Sequence, residues 1–157
     1  MNIPTDEDIH QAIEEVISTL TGINNLYESQ YKILSYLMQD EDIFFTSSTN
    51  SGKTLPTVIF PLILKKLHTR GFPYPECPKI LYLTPLNSLQ LSLVHNVTTL
   101  GIDCKVVTPE NVKELLSSST QVLFISPETL KMKSVSQELL KCRRAFVLKV
   151  VDEAHLG

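Results

Sequence analysis

Apolar positions along this chain recur with two periods. Residues 6–20 carry Ile9, Ile13, Val16, Ile17 and Leu20 at helical spacing, with Thr5 placed to cap the start and Gly22 to stop it. Residues 28–39 repeat the pattern through Tyr31, Leu34, Leu37 and Met38. The run Ile43-Phe44-Phe45 then reads as a strand over 43–46, and a helix follows over about 53–68. Pro56 falls in that helix's first turn, where a missing N–H costs little, whereas Pro61 is expected to kink it.

Beyond the extended link Gly71-Phe72-Pro73-Tyr74-Pro75, strands and helices alternate. Strands are predicted at 79–84, 104–107, 121–125 and 145–151, and helices at 85–100, 109–117 and 127–140. The helix over 85–100 should bury Leu86, Leu89, Leu93, Val97 and Leu100 on one face. Strands made of continuous apolar runs, separated by helices, specify an α/β fold with a parallel sheet covered on both faces. Lys149 is a misfit in so apolar a strand and is assigned to snorkelling at an edge.

Composition adds mainly exclusions. At 157 residues the chain is one domain at most, and its net charge of −3 gives no overall basic field of the kind that announces a nucleic-acid partner. Acids crowd the first fifty residues and bases crowd 131–149, which read as solvated helix faces. Cys77, Cys104 and Cys142 match no zinc spacing and their odd number suggests no disulfide framework, so reduced thiols and an intracellular setting are expected. The acidic start excludes an ordinary signal peptide. The longest apolar run, residues 55–64, is too short to span a membrane.

Two stretches carry chemistry. The first is the small-residue loop Thr46-Ser47-Ser48-Thr49-Asn50-Ser51-Gly52-Lys53-Thr54 between strand and helix. Gly-Lys-Thr closing such a loop is a phosphate-binding, or Walker A, pattern. Small residues let successive N–H groups turn inward, and the following helix adds its unpaired N-terminal donors. Lys53 reaches the outer phosphates as a point charge, and Thr54 offers a hydroxyl to Mg²⁺. Ser47 stands where Gly is usual, and Asn50 where a second Gly is common, although Asn tolerates positive φ.

The second stretch is Asp152-Glu153-Ala154-His155, delivered by the last strand to the sheet edge where ligands bind. Asp152 is the expected partner of Thr54 in holding Mg²⁺, and Glu153 the group that orients and deprotonates a water. An Asp-Glu after a strand is by itself an ordinary turn. Its pairing with a phosphate loop gives it meaning.

The two motifs together resemble the first RecA-like domain of superfamily 2 DEAH-box helicases, and the RecQ-like DNA helicases in particular. Gln30 lies where those helicases place the glutamine that reads adenine, a job a carboxamide does by pairing with N6 and N7. Thr84-Pro85-Leu86-Asn87-Ser88-Leu89 resembles their motif Ia, and Ile125-Ser126-Pro127-Glu128-Thr129-Leu130 their Pro-Glu element. Asn87, Ser88, Ser126, Pro127 and Glu128 are thereby candidates for contact with a nucleic-acid backbone, through helix N-termini as much as side chains. Asn87 and Ser126 read equally well as helix caps, with Pro127 at a first helical position. The family's Phe-Arg before the glutamine is replaced by Leu26-Tyr27-Glu28-Ser29, which keeps an aromatic ring and lacks the cation.

The resemblance implies a lead-in over 1–25 and a partial helicase ATP-binding domain over 26–157, a RecA-like P-loop sheet incomplete at its C-terminus. It implies ATP and Mg²⁺ as cofactors, DNA (single-stranded or forked) as partner, and His155 as the relay between nucleotide and strand. It also implies a second RecA-like domain, missing from these residues, and a nuclear location if the source is eukaryotic; no membrane is implied. In the family a motif III strand separates the strands carrying the phosphate loop and the acid pair, so both are expected to lack a ladder partner here. Without the second domain's arginine finger, worth ~10³–10⁵ in rate in comparable enzymes, hydrolysis by these residues alone should be negligible. A non-catalytic nucleotide- or DNA-binding fragment, or an RNA helicase of the same superfamily, are the alternative readings.

Overall fold

The computed structural model describes residues 3–39, 44–47 and 54–152, with the backbone alone for 44–47 and 152. Five strands form one parallel sheet: β1 Phe44–Ser47, β2 Lys79–Leu83, β3 Cys104–Val106, β4 Val122–Ile125 and β5 Phe146–Asp152. Their order across the sheet is β1-β5-β2-β4-β3. Among the described residues seven α-helices accompany them: α1 Asp6–Ser18, α2 Glu28–Gln39, α3 Thr54–Thr69, α4 Ser88–Thr99, α5 Val112–Ser117, α6 Pro127–Lys131 and α7 Lys133–Lys141. The α/β reading of the sequence holds.

The connections explain the layering. From β1 to β2 to β3 the chain moves one way across the sheet, and from β3 to β4 to β5 it moves back. Crossovers of one hand then place outward-bound helices on one face and returning helices on the other. The core divides accordingly. One cluster joins Ile80, Tyr82, Phe124, Leu148 and Val150 to α1, α2, α3 and Val97 of α4. The other joins Leu81, Leu123 and Ile125 to α5 and α7.

Helix α3 buries ten of its sixteen residues, so it is apolar nearly all round and sits as a core helix over β2 and β5. Each of its fully buried aliphatic side chains contributes about 1.5–3 kcal/mol by leaving water. It continues through Pro61, whose carbonyl accepts a hydrogen bond from Gln121 Nε2 at 2.8 Å. Helix α1 packs on α3 and buries Ala12, Ile13, Val16 and Ile17 in the same core. Its start is fixed by a capping box, in which the Thr5 hydroxyl accepts from Asp8 N–H and the Asp8 carboxylate accepts from Thr5 N–H.

Four expectations are corrected. Helix α4 begins at Ser88, after Asn87 caps it; Val97 is buried and Leu93 and Leu100 pack against the core as expected, but Leu86, which precedes the helix, and Leu89 are exposed, and Gln90 is buried. The helix expected over 109–117 starts at Val112, because Thr108 and Asn111 bond to each other's N–H groups and hold a turn ahead of it. The helix expected over 127–140 breaks at Met132, whose extended ψ of 125° separates α6 from α7. Finally, β1 and β5 pair directly, so the strands expected to lack ladder partners supply each other's.

Two lysines behave unlike the pattern suggested. Lys149, in an interior strand, is exposed, so its stretch of sheet face is open among the described residues. Lys79 is 2% exposed, and its ammonium donates to Ser118 O at 2.8 Å and Thr120 O at 2.6 Å. It stitches the start of β2 to the turn before β4, at the sheet edge opposite the motifs.

Candidate nucleotide site

Strand β1 ends at Ser47 and helix α3 begins at Thr54, so the strand-loop-helix arrangement required of a phosphate loop is present at both its ends. Ser48, Thr49, Asn50, Ser51, Gly52 and Lys53 lie outside the described residues, as do Glu153 and His155. Thr54 is half-buried in the first turn of α3, where its carbonyl accepts from the Thr57 hydroxyl at 2.6 Å. Strand β5 ends at Asp152, which is the register partner of Ser47. Neighbouring strands lie about 4.8 Å apart. The backbone that enters the phosphate loop and the backbone that carries the first acid therefore leave one sheet edge side by side.

The same edge receives the other motifs. Thr84 follows β2 and extends its ladder, donating its N–H to Ile125 O at 2.9 Å. Asn87 Oδ1 accepts from Leu89 N–H at 2.9 Å and caps α4. Ser126, after β4, caps α6 by accepting from Thr129 N–H at 3.2 Å, with Pro127 in the first turn. Asn87, Ser88 and Glu128 are exposed and Ser126 is buried. Helices α4 and α6 leave neighbouring strands toward opposite faces, which opens a fork between β2 and β4 at their carboxyl ends.

Gln30 is not a surface residue. It is 5% exposed, and its Oε1 accepts from Tyr27 N–H at 2.8 Å, tying the carboxamide to the start of α2. Tyr27 is 74% exposed, leaving an aromatic face at the surface beside it.

The sequence did not single out Thr84 or Gln90. Both are buried, and Gln90 Nε2 donates to Thr84 O at 3.3 Å. Among the described residues the Thr84 hydroxyl has no hydrogen-bond partner. A polar residue following Ile80 and Tyr82 at the same alternation was the available signal, because it extends an inward-facing row. A groove of about 880 Å³ between α1, α2 and the Pro73-Tyr74-Pro75 link reaches Phe146 at the start of β5. It lies at the end of that strand remote from Asp152.

Comparison with known proteins agrees with this layout. Residues 27–156 match the family model described as DEAD/DEAH box helicase. The chain is 29% identical over 156 residues to an uncharacterized ATP-dependent helicase, MJ1574, of Methanocaldococcus jannaschii, covering 94% of this chain and 22% of that protein. It is 22% identical over 155 residues to the ATP-dependent DNA helicase RecQ of Pasteurella multocida, again covering 94% and 22%. To the uncharacterized ATP-dependent helicase YprA of Bacillus subtilis it is 26% identical over 136 residues, covering 81% and 17%. The chain thus spans about a fifth of the length of these relatives. With the family model covering most of its residues and its motif-bearing strands side by side at one sheet edge, the chain belongs to the DEAD/DEAH box helicases.

Proposed function

We propose that this chain is the ATP-binding portion of an ATP-dependent DNA helicase of the RecQ-like kind, which couples hydrolysis to strand translocation and duplex separation. The observation that carries the reading is the pairing of Ser47 with Asp152. The RecQ of Pasteurella multocida, matched along nearly the whole chain, supports DNA as the substrate class.

The residues suit a magnesium-nucleotide. A hydroxyl at the start of α3 and a carboxylate at the end of β5 are hard oxygen donors of the type Mg²⁺ takes, and the unpartnered Thr84 hydroxyl shows spare polar capacity at that edge. Bound Mg²⁺ neutralises charge on the terminal phosphates. Lys53 and the N–H groups of the Ser47–Thr54 loop hold phosphate oxygens, Thr54 and Asp152 hold the ion, and Glu153 takes the proton of the attacking water. Gln30 faces adenine, with Tyr27 as a stacking surface. Asn87, Ser88, Ser126, Pro127 and Glu128 line the fork against the strand backbone, and His155 links the two sites. Further helicase parts, including a second RecA-like domain with an arginine finger, complete the working enzyme.

The test is nucleotide and strand binding by the chain and its Lys53→Ala variant. Wild type should bind Mg-ATP, and Lys53→Ala should bind it about tenfold or more weakly, as expected for loss of a charged hydrogen bond. Preference for single-stranded DNA over RNA should accompany it. Binding indifferent to Lys53 would remove the site, and a preference for RNA would move the substrate to the other branch of the superfamily.

A further inference from the structure

We infer that Thr84 is a positioning residue for the magnesium-holding carboxylate: its hydroxyl is held at the sheet edge to donate to Asp152. This rests on the nucleotide-site reading above. Strand register sets the geometry. Phe45, Val150, Tyr82 and Phe124 form one row across β1, β5, β2 and β4. Two residues on, Ser47 pairs with Asp152. Leu83 pairs with Val151 and with Ile125, so the next position of β2, Thr84, falls beside Asp152 on one side and Ser126 on the other. The Thr84 N–H to Ile125 O bond confirms that the β2–β4 ladder runs that far.

Residues two apart in a strand share a face. Thr84 therefore follows Ile80 and Tyr82 on the face packed by α3, whose N-terminal residue is Thr54. Ser47, Asp152, Thr84 and Ser126 form the last row of that face.

The hydroxyl of Thr84 is the informative atom. Thr84 is 0% exposed, and among the described residues no group receives or supplies a hydrogen bond at its Oγ1. Leaving such a group unmade costs about 1–3 kcal/mol, so an orphan in this place calls for an explanation. Ser126, beside it, spends its hydroxyl on capping α6. Gln90, also buried, meets Thr84 at its carbonyl, donating to it from Nε2 at 3.3 Å. What remains is an O–H donor one strand from a carboxylate register position. Carboxylates that ligate metals are themselves held by hydrogen bonds, and losing such a partner costs about 10–100-fold in metal affinity. A donor here would orient the carboxylate for the ion and offset part of its charge.

The experiment compares wild type, Thr84→Val, Thr84→Ser and Lys53→Ala. Binding of N-methylanthraniloyl-ATP is read by fluorescence anisotropy, with Mg²⁺ and then with EDTA, alongside the thermal midpoint without nucleotide. Thr84→Val should keep or raise the midpoint, since it removes an unpartnered hydroxyl, and should keep its affinity in EDTA. It should lose about tenfold of the affinity gained on adding Mg²⁺, while Thr84→Ser keeps that gain within about twofold. A magnesium gain in Thr84→Val equal to wild type, with Lys53-dependent binding intact, overturns the role of Thr84 alone; a buried water satisfying the hydroxyl would give that result. Binding that ignores Lys53 overturns the site and this inference with it.

Discussion

Ser47 and Asp152 stand opposite one another as the last register pair of the β1–β5 ladder. Parallel pairing means that both strands run toward the same edge, so the loop after one and the acids after the other must emerge together. An antiparallel pair, or strands ending at opposite edges, would have separated Lys53 from Asp152 by the length of the sheet. The sequence places Lys53 and Asp152 at a separation of 99 positions (152 − 53), and the fold brings together the strand ends that lead to the two motifs, Ser47 and Asp152.

The caps at the fork separate two roles that one residue can hold. Asn87→Ala should lower stability by about 1 kcal/mol, seen in urea unfolding, because Leu89 N–H loses its acceptor. Asn87→Asp should keep the cap and the stability, yet weaken single-strand binding, since a carboxylate at that position repels phosphate. Asn87→Ala as stable as wild type would contradict the cap. Asn87→Asp binding DNA normally would remove Asn87 from the strand surface.

Lys79 makes a prediction about the opposite edge. Lys79→Met should lower the stability by about 1–3 kcal/mol, because the carbonyls of Ser118 and Thr120 lose their donor while the methionine fills the space. Nucleotide affinity should be unchanged. An unfolding midpoint equal to or above wild type would show that desolvating the ammonium costs as much as its two bonds return.

Among the three free thiols, Cys104 should react last with a thiol reagent. It is 7% exposed, and burial pushes its thiol up, with the nearby Asp103 adding to the rise and the Thr98 hydroxyl contact at 3.4 Å opposing it. A raised folded value means that the folded chain holds the proton more tightly. Its contribution is therefore complete below the ordinary thiol range and is lost as pH rises through that range and beyond. Cys104→Ala should flatten the alkaline loss of stability in urea unfolding across that range; an unchanged slope would contradict the assignment.

Much of this fold is readable from the chain, for a physical reason. Val122-Leu123-Phe124-Ile125 is buried on both faces, and such runs have no other stable place than an interior parallel strand. The two candidate motifs could be proposed from the sequence because their chemistry demands fixed residue types at strand ends, and the strand ends that lead to them, Ser47 and Asp152, lie side by side. What was not readable depends on register and on context beyond the local stretch. Nothing at Met132 marks a helix break, since neither Gly nor Pro is there. Leucine periodicity in α4 placed Leu93, Val97 and Leu100 correctly but not Leu86, which precedes the capped helix, or Leu89, because Gln90, a polar residue, takes a core position. Thr84 and Lys79 acquire meaning only when the strands beside β2 are known, and Lys149 only when its patch of sheet is seen to be open.

The central claim is that the loop before Thr54 and the acids at the end of β5 hold one metal-nucleotide between them. Iron(II) in place of magnesium, with ATP and ascorbate in air, cleaves backbone close to the bound ion, and the cuts are mapped by mass spectrometry. Cuts should appear both at the start of α3 near Thr54 and at the end of β5 near Asp152, should require ATP, and should be suppressed by excess Mg²⁺. Cuts confined to one of these segments, or unaffected by ATP, would contradict a shared site.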